Sequence, residues 1–224
     1  WLRNQDLNLL IIPEASLPLA FLKGINSVQT PYFGFLDDDD EYLPRALATR
    51  IEALEQHPDW DIVLTNGFKH INGVDSPALI RLNHVSANPL GELFRENWIG
   101  SCTGLLRTKS FPSNFFDNIP YYLEWSYLGF QFALYGKIIG VINVPTFRIN
   151  DTPGSASKSE AYQDAHIDFY RYVLTHSLPT PVTKAVQARL QDAWALRALY
   201  AMHANQFSVA RNSLREVSVL PKPW

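Results

Sequence analysis

The segment Tyr32-Phe33-Gly34-Phe35-Leu36 runs directly into Asp37-Asp38-Asp39-Asp40, and few folds accommodate such a junction. Four adjacent carboxylates repel one another and resist desolvation, so they persist either in open water or around a bound cation. The five residues before them are rich in aromatics, too short for a helix and preceded by Thr30-Pro31. They read as a strand buried on both faces, as in a parallel sheet. The carboxylates then fall where that strand ends, the edge at which open α/β sheets bind ligands. A solvated acidic turn is the alternative reading.

The neighbouring segments repeat the strand and helix pattern. Leu7 to Ile12 is a β-type run stopped by Pro13, Leu17 to Asn26 reads as a helix, and a right-handed crossover would make the strands on either side of it parallel. After the carboxylates, Pro44 suits a first helical turn, with Leu43, Leu47, Ile51 and Leu54 on one face. Asp61 to Asn66 reads as a strand, and Asn72-Gly73 signals a hairpin over Gly67 to Val74. Pro89 to Glu96 reads as a short helix, Ser101 to Arg107 as a strand, and Phe111 to Tyr122 as an aromatic loop suited to a binding wall. Leu123 to Tyr135 reads as a helix stopped by Gly136, followed by a strand over Ile138 to Val144. Glu124, at that helix's first turn, has two readings: a routine helix-start acid or a catalytic group.

From about Glu160 helix formers take over. Helices are expected over Ala161 to His176, over Val182 to Ala204, and before Pro221. The last two resemble one tetratricopeptide-type hairpin, with a C-terminal cap packed on the main domain as the simpler reading. Hydrophobic residues make up 46% of the 224, charged residues 18%, and net charge is -3, which excludes a polyelectrolyte and argues against nucleic acid as a partner. Cys102, the sole cysteine, fits a buried small apolar residue and a reducing compartment. No stretch approaches the roughly 20 apolar residues of a membrane span.

Phe35-Leu36 followed by Asp37 to Asp40, then Tyr42-Leu43-Pro44 and an amphipathic helix, resembles the acidic motif of family 2 glycosyltransferases of the GT-A fold. Gly24 before the acidic strand, Asp61-Ile62-Val63, the acid-led segment Glu124 to Gly136, and Arg148-Ile149-Asn150-Asp151 with Ser155 and Ser157 follow in the family's order. The resemblance implies an α/β fold: a GT-A-like, mostly parallel sheet flanked by helices over residues 1–157, with a C-terminal α-helical extension over 158–224. The family's opening strand and an acidic nucleotide-binding element would lie before Trp1.

The resemblance also implies chemistry. Such enzymes move a sugar from a nucleotide-sugar, a UDP-sugar foremost, to a saccharide or glycolipid acceptor, with Mn²⁺ or Mg²⁺ neutralising the diphosphate. On the matching positions Asp39 and Asp37 would hold the metal, and Asp37, Asp38, Lys23 and Arg148 the nucleotide-sugar. Glu124 would be the base of an inverting transfer. Counted back from Gly136, the family's second acidic position falls on Trp125. Expected settings are bacterial surface-polysaccharide or glycoconjugate synthesis, in the cytoplasm or peripherally at the inner face of the membrane. Two other classes stay open: a non-catalytic carbohydrate- or protein-binding module on the same fold, and a nucleotidyltransferase.

Overall fold

Helix α1 (Leu17–Asn26) begins where the sequence supplies a cap: the Ser16 hydroxyl accepts from the Leu19 N–H at 3.4 Å, and proline sits in the first turn. In the computed structural model, which describes residues 8–112, 114–152, 154–155 and 159–219, two short strands follow, β1 (Tyr32–Phe33) and β2 (Glu41–Tyr42). They flank the acidic run. Next come α2 (Ala46–Gln56) and the long strand β3 (Ile62–Ile71). The Asn72-Gly73 turn, with φ of 51° and 82°, leads back through β4 (Val74–Pro77). Both residues occupy the left-handed region that a two-residue hairpin requires, as their identities lead one to expect. Helix α3 (Pro89–Leu93), β5 (Gly104–Arg107), α4 (Glu124–Leu134) and β6 (Ile139–Asn150) complete the sheet region. Helices α5 (Glu160–Leu174), α6 (Thr180–His203) and α7 (Phe207–Val219) follow.

The sheet order is β1-β5-β3-β6-β2, with β4 paired to β3. Of these pairs only β3 with β6 is parallel, so the sheet is mixed rather than mostly parallel. The cause is β5, which runs antiparallel between β1 and β3 and so separates strands that point the same way. Residues alternate across β3: Ile62 and Leu64 join the main core, while Val63 packs with Ala53 and Leu54 of α2 on the other face. Strand β3 runs past Asn66 because residue 67 is glycine; a Cβ there would collide with the Phe147 ring.

Several expected elements differ. Residues 8–12 form no strand, and Leu9 and Ile11 are exposed. An apolar run makes a strand only where it finds a ladder partner. The run before the carboxylates pairs only through Tyr32 and Phe33, antiparallel to β5, and Leu36 is exposed. In α2 the buried face is Ala46, Arg50, Ala53 and Leu54, leaving Leu47 exposed; Pro44 precedes the helix and Arg45, at φ 65°, opens it. This face turns inward because the buried Arg50 guanidinium finds oxygen partners there. At the C-terminal end, Phe169 and Val173 of α5 and Val182 and Val186 of α6 belong to the same core as the sheet, as a packed cap would. Leu7, Pro221 and Ser157 lie outside the described residues. Among the described residues no helix is long and apolar enough to cross a membrane.

Candidate active site

The acidic run crosses one end of the sheet, from β1 at one edge to β2 at the other. Gly34 makes the crossing close: a Cβ there would meet the Gly104 carbonyl at 3.2 Å and the Tyr42 hydroxyl at 3.3 Å. That hydroxyl donates to the Phe35 carbonyl at 2.6 Å. The Asp40 N–H then closes a turn onto the Asp37 carbonyl at 3.2 Å. The end of β6 grips this turn. Asn150 donates its N–H to Asp40 Oδ1 (3.1 Å) and its amide to the Asp39 carbonyl (2.6 Å), while the Thr152 hydroxyl donates to Asp39 Oδ2 (2.6 Å). Ser101 and Cys102 donate to Asp40 Oδ2 from the opposite side, at 3.3 and 3.6 Å.

These contacts bring a carboxylate oxygen from each of Asp37, Asp39 and Asp40 to within 4.8 Å of one another. Burial first, and then the neighbouring carboxylates, push the Asp37 carboxyl above its ordinary range, against a hydrogen bond from Ser101. Asp40 is raised in the same way, opposed by the Asn150 N–H and the Cys102 thiol. Oxygen ligands around Mg²⁺ stand at about 2.0–2.1 Å in octahedral geometry, so the three carboxylates would draw closer together on holding one. Hard oxygen donors at this spacing suit a divalent cation. The cluster opens on a cavity of about 360 Å³ whose lining includes one basic side chain, Lys69.

Glu124 stands apart from the cluster yet shares a cavity of about 320 Å³ with Asp37. Two consecutive residues before it, Tyr122 and Leu123, adopt left-handed backbone at φ 67° and 55°, which is strained for side chains of that size. The strain turns the Tyr122 N–H onto Glu124 Oε1 at 3.1 Å and buries the carboxyl. Burial is the main cause that raises its pKa, with the Asp37 charge adding to it. Tyr162 of α5 lines the same cavity, its hydroxyl raised by burial and then by the Glu124 charge.

Residues 13–116 match the family model described as Glycosyl transferase family 2. That stretch of the chain is similar to family 2 glycosyltransferases. No curated protein matches the chain. The family match spans α1, the acidic run and β2 to β5, whereas α4 with Glu124 and β6 with Asn150 lie beyond it.

Around the matched region, the other expected site residues divide. Asp38 is not part of the cluster; it borders an apolar cavity of about 500 Å³ lined by α1 and β1. Lys23 is turned away, its ammonium donating to the Ile11 carbonyl. Arg148 is held by Asp75 at 3.0 Å and Glu41 at 3.5 Å, beside the His70–Asp75 pair, and not by the cluster. Both cations find nearer acceptors. Trp98 is core, its indole N–H on the Pro89 carbonyl at 2.9 Å, and so forms no part of an acceptor wall. Of the aromatic loop, Phe111 and Phe116 are core, while Tyr121 and Tyr122 line the Glu124 cavity. Trp125 packs at 5.0 Å on both Phe21 and Phe35, a trio that ties α1, the acidic run and α4 together beside Asp37.

Sequence reasoning does not single out Arg50. Buried completely, it donates to Thr65 at 3.0 and 3.1 Å, to Thr146 at 2.8 Å and to the Cys102 carbonyl, and its guanidinium lies over the Tyr42 ring. It thereby fixes from below the two residues, Tyr42 and Cys102, that position the acidic run. Thr152 and Tyr162 also escape a reading of the sequence, because each reaches the site only through tertiary packing.

Proposed function

We propose that the protein transfers a sugar from a nucleotide-sugar, a UDP-sugar foremost, to an acceptor hydroxyl, with inversion and with a divalent cation, Mn²⁺ or Mg²⁺. The observation that supports this most is the joined pair of cavities: Asp37 and Ser155 line both the carboxylate-cluster cavity and the Glu124 cavity. In this reading Asp37, Asp39 and Asp40 hold the cation and face the diphosphate. A bound divalent cation supplies positive charge that offsets the charge building on the leaving phosphates. Asp38 borders the apolar cavity assigned to the nucleoside. Lys23 and Arg148 take no part.

Glu124 is the base. The acceptor oxygen attacks the anomeric carbon as the bond to the diphosphate breaks, and its proton passes to the Glu124 carboxylate. A carboxylate raised by burial is a stronger proton acceptor than an exposed one. The segment from 158 onward is read as an extension that completes the acceptor side, since α5 contributes Tyr162 to the Glu124 cavity. Synthesis of a bacterial polysaccharide or glycoconjugate, in the cytoplasm or at the inner face of the membrane, is the setting this activity fits.

The test is a thermal-shift screen of nucleoside diphosphates with and without Mn²⁺, because a ligand that binds only the folded state raises its midpoint. UDP should raise it only with Mn²⁺, and the shift should vanish in Asp39→Ala. An equal shift in that variant would sink the proposal.

A further inference from the structure

Two further cavities adjoin the Glu124 cavity in series, through residues that the carboxylate-cluster cavity does not share. The Glu124 cavity shares Tyr121, Tyr122 and Leu123 with one of about 440 Å³ lined by residues 118–123, α4 and α5. That cavity in turn shares Asn118, Tyr127 and Tyr172 with a third, of about 470 Å³, reaching Tyr135 and His176. The three cavities adjoin through these shared residues and are taken together as a groove. Each part has the volume of an ordinary small-ligand site.

The chemistry of the groove is amphipathic along its whole length. Tyr121 and Tyr135 are 54% and 66% exposed, so a large part of each residue meets solvent. Between them the Tyr127 and Tyr172 rings lie 5.5 Å apart, with the Gln131 amide donating to the Tyr172 hydroxyl at 2.9 Å. Asp168 adds a carboxylate to the middle cavity. Flat apolar faces flanked by amide, hydroxyl and carboxyl groups match a saccharide, whose rings carry C–H faces and hydroxyl edges. An acyl chain would desolvate the Asp168 carboxylate without pairing it. The left-handed backbone at Asn118 (φ 60°), Tyr122 and Leu123 shapes the loop along this groove.

We propose that the groove binds an extended oligosaccharide, more than one sugar unit long, whose terminal hydroxyl is presented to Glu124. The placement of the reacting end rests on the transfer reading above; the binding itself does not. The acceptor is therefore the growing or finished end of a glycan rather than a lone sugar.

Saturation-transfer NMR with hexose and N-acetylhexosamine oligosaccharides, from mono- to tetrasaccharide, tests this. At least one series should bind about tenfold more tightly as trisaccharide than as monosaccharide. Tyr135→Ala and Asp168→Asn, both at exposed positions, should abolish that gain. No binding in any series, a length dependence unaltered in both variants, or capture by phosphatidylglycerol vesicles without saccharide binding would overturn the proposal. Length-dependent binding in a protein that never binds UDP with Mn²⁺ would uphold the groove and remove the transfer reading instead.

Discussion

The two acidic regions that meet at Asp37 share a pKa raised by burial but differ in how many carboxyls they gather and in what holds them. The cluster of Asp37, Asp39 and Asp40 is partly open to water, gathers several like charges, and is held by donors from β6 and from the segment before β5. Glu124 is a single buried carboxyl held by the backbone of a strained turn. Convergent charges that raise one another's pKa are relieved by a cation. One desolvated carboxyl is relieved by a proton. On the proposed function, the same side-chain chemistry serves two purposes in adjoining cavities, and the surroundings decide which.

That contrast can be broken experimentally. The largest effect should come from Glu124→Gln, which keeps the volume and removes the base: turnover should fall by about 10²–10⁴-fold, with UDP binding unchanged. A variant that keeps its turnover would remove Glu124 from the chemistry. Arg50→Met should come next. It leaves the Cys102 carbonyl and the Thr65 and Thr146 hydroxyls without their buried donor, and a loss of about 3 kcal/mol in urea unfolding is expected. If the acidic run is supported from below as described, Mn²⁺ affinity should weaken in parallel.

A smaller effect separates the two regions more cleanly. Thr152→Val removes the hydroxyl that orients the Asp39 carboxylate. Mn²⁺ affinity measured by calorimetry should drop by about 10-fold, as loss of a partner behind a metal ligand typically does. The unfolding midpoint should barely move. Smallest of all is a pH effect on stability. The raised Glu124 pKa means that the folded protein binds this proton more tightly than the unfolded chain does. The resulting stabilisation is complete below the ordinary carboxylate pKa and is lost as pH rises through the raised one. Across that window the midpoint of Glu124→Gln should therefore gain on that of the parent; parallel curves would show that the carboxyl is not desolvated.

Local signals in the chain are legible where local physics decides. Asn72-Gly73 turns the hairpin, Gly136 at φ 63° follows the end of α4, and the acidic run follows a two-residue strand with three residues between them. What stays hidden depends on partners distant in sequence. Arg50 looks like a surface residue of an amphipathic helix, and only Thr65, Cys102 and Thr146 make its burial tolerable. The opening run shows the converse: Leu9 to Ile12 carries strand character but lacks a ladder partner among the described residues. The resemblance assigns Lys23 and Arg148 to the donor, yet nearer oxygens claim both. The burial of Glu124 requires left-handed backbone at Tyr122 and Leu123, residues whose identity gives no hint of it.

The division of labour between the two acidic regions is tested most directly by one set of calorimetric titrations. UDP is titrated, with and without Mn²⁺, into the parent protein, Asp39→Ala and Glu124→Gln. Binding that needs Mn²⁺, disappears in Asp39→Ala and persists at parental strength in Glu124→Gln is the expected result. UDP binding that ignores Mn²⁺, or that survives in Asp39→Ala as in the parent, would contradict it.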